Sequence, residues 1–330
     1  MQGHRNSARY EHRLAPHHVR CVLTDYCVTL PAWDSAAWAG TKRSFHLYAQ
    51  MLGKIRVALS PSQPNWMFTA LALSARGITT GPMPWRGGSL AVSIDVFSSE
   101  IILEQTDGKS RHIPLVPART IAHIYADLHG ALEDLEVECV ISPVPQEVED
   151  VTPFPEDTRP APYDAETVRR WFSATTSVAG LFDIWRAHFF GRTGIQVWWG
   201  ALDVALLLFN DKHVAPPSDR GYLMKYDLDA EMMNAGLFFG DDKVAPFFYG
   251  YIFPQPPGAE HLPVASAGAT WSEALKEWVL PYETVRTAAD PAAELRSFLD
   301  SIYSLCASAA GWDTAALSYA APKRVQSAPR

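Results

Sequence analysis

An aspartate interrupts an otherwise apolar run, Leu202-Asp203-Val204-Ala205-Leu206-Leu207-Leu208-Phe209. A carboxylate in such a strand is turned to solvent, paired with a cation such as Lys54 or Arg192, or desolvated and raised in pKa. In the last case it is a usable general acid or base. Gln196 precedes it on the same strand region and could orient a substrate carbonyl. His46, on an otherwise apolar helix face, is either a hydrogen-bonded core imidazole or a further proton-handling group. Asp203, Gln196 and His46 are therefore the candidate catalytic residues.

Around them stand many large rings: Trp66, Trp198, Trp199, Phe238, Phe239, Phe247, Phe248, Tyr249 and Tyr251. Such a set is either an ordinary aromatic core or the wall of a pocket for a hydrophobic ligand, and Trp faces also stabilise cations. Trp66, Trp198, Trp199, Phe68, Asn65, Glu231, Tyr249 and Tyr251 are the candidate substrate-binding residues. Glu231 and Asn234 are read in a loop ahead of an Ala235-Gly236 turn.

Other chemistries lack their patterns. There is no G-x-x-x-x-G-K-[ST], no G-x-G-x-x-G and no G-x-S-x-G. No two His stand at i, i+4 on a helix, and His123 and His129 are six apart. His17-His18 lies in a polar N-terminal stretch. The four Cys, Cys21, Cys27, Cys139 and Cys306, form no C-x-x-C and read as reduced thiols. Neither a metal nor an organic cofactor is expected. A net charge of −8 with no basic stripe argues against nucleic acid. The longest apolar run, Val204 to Phe209, is far below the roughly 20 residues that cross a bilayer. Residues 1–20 have no apolar signal core. A cytoplasmic protein without membrane association is expected, and a homodimer is compatible with the sequence.

The elements that would position these residues read as α+β. A helix is expected over Ala36 to Leu52, stopped by Gly53, and a strand over Ile55 to Leu59. A second strand covers Trp66 to Ser74. Leu90 to Phe97 and Glu100 to Gln105 form a hairpin across Ser98-Ser99, and Asp107-Gly108 makes the next turn. A helix covers Arg119 to Leu135, and a strand Val137 to Ile141. In the second half Asp164 caps a helix reaching about Phe190. Strands follow at Gln196 to Trp199, Asp203 to Phe209 and Pro246 to Phe253. Ser272 caps a short helix broken by Pro281. Asp290-Pro291 opens the last helix, which Gly311 ends.

Two junctions look alike: Met51-Leu52-Gly53-Lys54 leading to Trp66-Met67-Phe68, and Phe189-Phe190-Gly191-Arg192 leading to Val197-Trp198-Trp199. The expected architecture is thus a duplicated helix–antiparallel sheet–helix unit, its aromatic-rich sheets covered by long amphipathic helices. Its parts are an N-terminal arm (1–32), a first repeat (33–145), a linker rich in Pro and acid (146–163), a second repeat (164–318) and a tail (319–330). If the repeat holds, the two aromatic strands meet near a pseudo-twofold axis.

The segment His46-Leu47-x-x-Gln50-x-Leu52-Gly53-Lys54, with Ala75-Arg76-Gly77-Ile78-Thr79-Thr80-x-Pro82-x-Pro84, resembles a bacterial family catalogued as domain of unknown function 5996. Trp199-Gly200-x-x-Asp203, Ala235-Gly236, Leu280-Pro281-Tyr282-Glu283 and Gly311-Trp312-Asp313 extend the resemblance over residues 33 to 317. It implies a shared fold and no particular activity. It also implies His in relatives where this chain has Asn65, Phe68, Gln196 and Ala230, so a site built on those His would be lost here.

The functional expectation is a cofactor-independent catalyst, a cyclase or isomerase by type, acting on a hydrophobic small molecule between the repeats. The alternatives are a non-catalytic binding protein for an apolar ligand and a structural or interaction module. Several polar groups converging in the pocket would favour catalysis, and an all-apolar lining would favour carriage.

Overall fold

The computed structural model describes residues 26–216, 227–241 and 243–320. Most of the expected arm and tail, His17-His18 and Cys21 lie outside the described residues.

Helix α1 (Ser35–Leu59) starts where Asp34 accepts hydrogen bonds from the amides of Ala36 and Ala37, each 3.0 Å. It runs through Gly53 to Leu59, so the expected stop and the following strand are replaced by helix. Ile55 and Leu59 are four apart and continue the apolar face; read two apart with Val57, they mimic a strand. Gly53 is there for space: a Cβ would fall inside the Trp199 indole. Every residue from Ser44 to Ile55 is buried, so α1 threads the interior rather than covering a surface.

The first sheet holds β1 (Ala72–Ser74), β2 (Gly77–Thr79), β3 (Met83–Trp85), β4 (Gly88–Asp95), β5 (Glu100–Gln105) and β6 (Ser110–Pro114). All pairings are antiparallel, in the order β1-β2-β4-β5-β6, with β3 also on β4. The expected hairpin forms with Asp95 opposite Glu100. The turn at Asn65 and Trp66, both at positive φ (55° and 49°), breaks the long strand expected from Trp66. Helix α2 (Ile121–Asp134) follows, capped by Thr120. Val137 and Ile141 are buried, as a strand would bury them, but the segment joins no ladder.

Residues 146–163 pack closely. Phe154 is fully buried, and the buried carboxylate of Asp157 is gripped by Arg43 and Arg159, which also hold Asp150.

Helix α3 (Ala165–Arg186) is capped by Asp164 and ends before the expected Phe190. The second sheet is β7 (Thr193–Trp198), β8 (Asp203–His213), β9 (Ala230–Phe238), β10 (Phe247–Phe253), β11 (Thr270–Ser272) and β12 (Glu277–Pro281). Its order is β7-β8-β9-β10-β12-β11, again antiparallel. Two expectations fail here. Ala235-Gly236 lies inside central strand β9, and the segment after Ser272 leads into β12, where Trp278 pairs with Gly250. Helices α4 (Tyr282–Arg286) and α5 (Pro291–Ser301) close the fold, with Asp290 capping α5 through the Ala293 amide, 2.9 Å. Among the described residues a reciprocal bridge joins Leu71, just before β1, to β7: Leu71 N–H donates to Val197 O (2.9 Å) and Val197 N–H to Leu71 O (2.8 Å). The architecture is α+β with two antiparallel sheets around a shared apolar core. No described helix is long and apolar enough to cross a membrane.

Candidate functional site

Side chains alternate along a strand, so register decides which residues share a face. In the second sheet Trp198 pairs with Asp203, Leu207 with Asn234, Gly236 with Tyr249, and Asn234 with Tyr251. Gln196, Trp198, Asp203, Asn234, Tyr249 and Tyr251 therefore stand on one face. The other face, with Val204, Leu206, Leu208, Met233 and Leu237, joins the main core. Glu231 is out of phase with Asn234. It lies across the sheet from the others, where Asn210 Nδ2 (2.7 Å) and Lys212 Nζ (2.6 Å) hold it.

A cleft of about 190 Å³ opens on this face. Trp66, Trp198 and Trp199 form its aromatic side; Glu147, Asp203, Asp227, Asn234 and Tyr249 form its polar side. Tyr249 donates its hydroxyl proton to Asp203. That reach depends on Gly236, since a Cβ there would lie 2.5 Å from the Tyr249 ring. Asn234 Nδ2 donates to Tyr251 Oη at 3.1 Å.

Helix α1 positions the cleft. Its buried polar residues His46, Gln50 and Lys54 recur every four residues and so form one stripe. His46 Nε2 lies 2.9 Å from the carbonyl oxygens of both Trp199 and Gly200, in the β7–β8 hairpin that ends at Asp203. Gln50 exchanges two bonds with the Gln146 backbone, Nε2 to O at 2.7 Å and N–H to Oε1 at 2.9 Å. Lys54 Nζ reaches Gln146 Oε1 at 3.3 Å and sits 5.8 Å from the centre of the Trp199 ring. The stripe thus fixes both the hairpin below Asp203 and the segment carrying Glu147. The Glu147 carboxyl packs on Gly200, where a Cβ would meet it at 2.5 Å.

Burial sets the electrostatics. It raises Asp203 from 3.8 to about 6; the Tyr249 bond opposes the rise and the Glu147 charge adds to it. Asp227 is raised to about 7 by burial and by Glu147, Asp229 and Asp203. Glu277 is raised to about 7 by burial and by Asp203, and Glu147 is raised by burial. His46 is lowered to about 4 by burial and by Lys42, so it stays neutral and donates to carbonyls. Burial lowers Lys54 to about 8.

Of the candidate catalytic residues, Asp203 lies in the cleft. Gln196 shares its face but points to Met67, Nε2 to Sδ at 3.6 Å. His46 acts from behind the hairpin. Trp66, Trp198, Trp199 and Tyr249 line the cleft, and Tyr251 stands behind Asn234. Asn65 bridges Asp229 and Arg192, and Phe68 packs on the Trp66 ring with centroids 5.5 Å apart. Ala230 belongs to a small satellite core with Leu207 and Met232, beside Met67. Glu147 and Asp227 were missed, because a carboxylate in a segment read as linker or loop looks solvated. The fourfold spacing of His46, Gln50 and Lys54 was the available signal. No three His, Cys, Asp or Glu among the described residues are grouped to hold a metal ion.

No curated protein and no solved structure matches the chain significantly. A family model described as "Family of unknown function (DUF5996)" matches residues 30–319, and the chain belongs to that family.

Proposed function

We propose that this chain is an acid–base enzyme, a cyclase or isomerase by type, that moves protons on a small molecule held in the cleft. The observation that carries the reading is the convergence of Glu147, Asp203 and Asp227 against three indole rings. A pure carrier of apolar ligands has no use for three desolvated carboxyls. Asp203 near 6 and Asp227 near 7 sit where one member can be charged while another is protonated. Coupled in this way, they titrate as a set. In a proton shift the ionised carboxylate accepts a proton from one substrate atom and the neutral carboxyl returns one to another, so no other reactant is consumed. Tyr249 holds Asp203 in place and stabilises its charge. The indoles hold the apolar body of the substrate by shape. The cleft is smaller than the roughly 300–1,000 Å³ typical of drug-sized ligands, which favours a compact substrate.

The duplication is part of this reading. Each half runs helix, six antiparallel strands, helix, although the strand orders of the two sheets differ. Leu71 and Val197, one from each aromatic segment, bond to each other reciprocally, as residues beside a pseudo-twofold axis would.

The test is incubation of the protein with a bacterial metabolite extract in D2O, read by untargeted mass spectrometry. One metabolite should gain deuterium with wild type and not with Asp203→Asn or Tyr249→Phe. Deuterium uptake that is absent with wild type, or unchanged in both variants, would overturn the proposal.

A further inference from the structure

We propose that the cleft recognises an organic cation, a small amine in its ammonium form on an apolar body; this rests on the reading of the cleft as the substrate site. The polar side chains lining the space are the carboxyls of Glu147, Asp203 and Asp227, which are acceptors once ionised, with the amide of Asn234 and the hydroxyls of Thr69 and Tyr249. Both hydroxyls are already committed as donors, Tyr249 to Asp203 and Thr69 to the Trp66 carbonyl oxygen at 2.9 Å. No described Lys, Arg or His lines the cleft. The described cations nearby are engaged elsewhere. Lys54 reaches Gln146, and Arg192 holds Asn65 and Asp211.

Asn234 gives an independent indication. The residue is buried, 8% exposed, and lines the cleft. Its Nδ2 is used by Tyr251, while its Oδ1 has no hydrogen-bond donor. Buried acceptors are normally satisfied, so the geometry leaves a place for an N–H supplied by a ligand. Three ammonium protons suit an array of several acceptors. The indoles add to this, because a cation over a Trp face is attracted by the ring quadrupole. An anion would meet three carboxyls, with no described Lys, Arg or His in the lining to offset them. A neutral alcohol would offer one donor where several acceptors wait.

Three probes of one shape separate these cases: benzylamine, benzyl alcohol and benzoate. Each is titrated at about pH 8 into the full chain, followed by tryptophan fluorescence and calorimetry. Benzylamine should quench the indoles and bind at least about tenfold more tightly than benzyl alcohol, as expected for a charge-assisted hydrogen bond. Benzoate should not bind. Asp227→Asn and Asn234→Leu should each weaken benzylamine by about tenfold and leave benzyl alcohol unchanged. Two variants are used so that a folding defect in one, seen by circular dichroism, does not decide the result. The inference is overturned if benzylamine fails to bind, if either other probe matches it, or if neither variant weakens it. The two proposals fail separately. Amine binding without deuterium uptake dependent on Asp203 removes the proton transfer and keeps the cation. Such uptake into a neutral or acidic molecule removes the cation and keeps the proton transfer.

Discussion

Replacing Asp203 with Asn should make the protein more stable while abolishing the proposed chemistry. The residue is 6% exposed, and its pKa is raised from 3.8 to about 6, with burial the leading cause. Because the folded-state value lies above the unfolded one, protonation favours the folded chain. The burden is absent below pH 3.8 and grows as pH rises through about 6. A rise of about two pH units corresponds to about 3 kcal/mol at about pH 8, and to about 1 kcal/mol at about pH 4.5. Asn keeps an oxygen for the Tyr249 hydroxyl and cannot ionise. Urea unfolding of both proteins at the two pH values should show Asp203→Asn more stable by about 3 kcal/mol at the higher pH, with the gap shrinking to about 1 kcal/mol at the lower. The melting temperature at the higher pH should rise by about 5 °C. A variant no more stable than wild type at the higher pH, or a gap that does not narrow, would refute a desolvated carboxylate at this position.

Gly53→Ala sets helix propensity, worth about 1 kcal/mol in favour of Ala, against the Trp199 indole. Overpacking should win by about 1–3 kcal/mol, seen as a lower urea midpoint. Gly236→Ala should push Tyr249 off Asp203 and reduce deuterium uptake at least as much as Tyr249→Phe does; uptake at the wild-type level would show that the tyrosine bond is not needed. His46, lowered to about 4, should show no imidazole titration by NMR between about pH 5.5 and 8, and His46→Leu should destabilise the fold by about 1–3 kcal/mol at either end of that range. Glu231→Gln, on the far face of β9, should leave benzylamine affinity unchanged, and a tenfold loss would put the phase of that strand in question.

Features decided by neighbouring residues were legible in the sequence. Asp164 and Asp290 cap helices because a cap needs only the next three amides. The hairpin across Ser98-Ser99 and the Asp107-Gly108 turn follow from local turn chemistry. Features decided at long range were not. Gly53 is required by an indole 146 positions along the chain, not by a helix end, and no signal near Gly53 reports it. Strand β9 is buried on both faces, so Met232, Met233, Ala235 and Leu237 show no alternation to read. Trp66, Trp198, Trp199, Asp203 and Tyr249 could be picked from residue type alone. Glu231 and Asn234 could not be told apart until β9 had a phase, which then put three positions of separation on opposite faces.

The bridge between Leu71 and Val197 also bears on how the chain avoids its own copies. A sheet with apolar strands such as β8 offers a template for another chain wherever its outermost strand is bare. Here one border strand, β11, is three residues long, and the other, β7, has a backbone position filled by Leu71 from the first half. Fraying of the first half, or its removal by a protease, would uncover the β7 backbone at Val197. Aggregation from partly opened molecules should therefore start at β7.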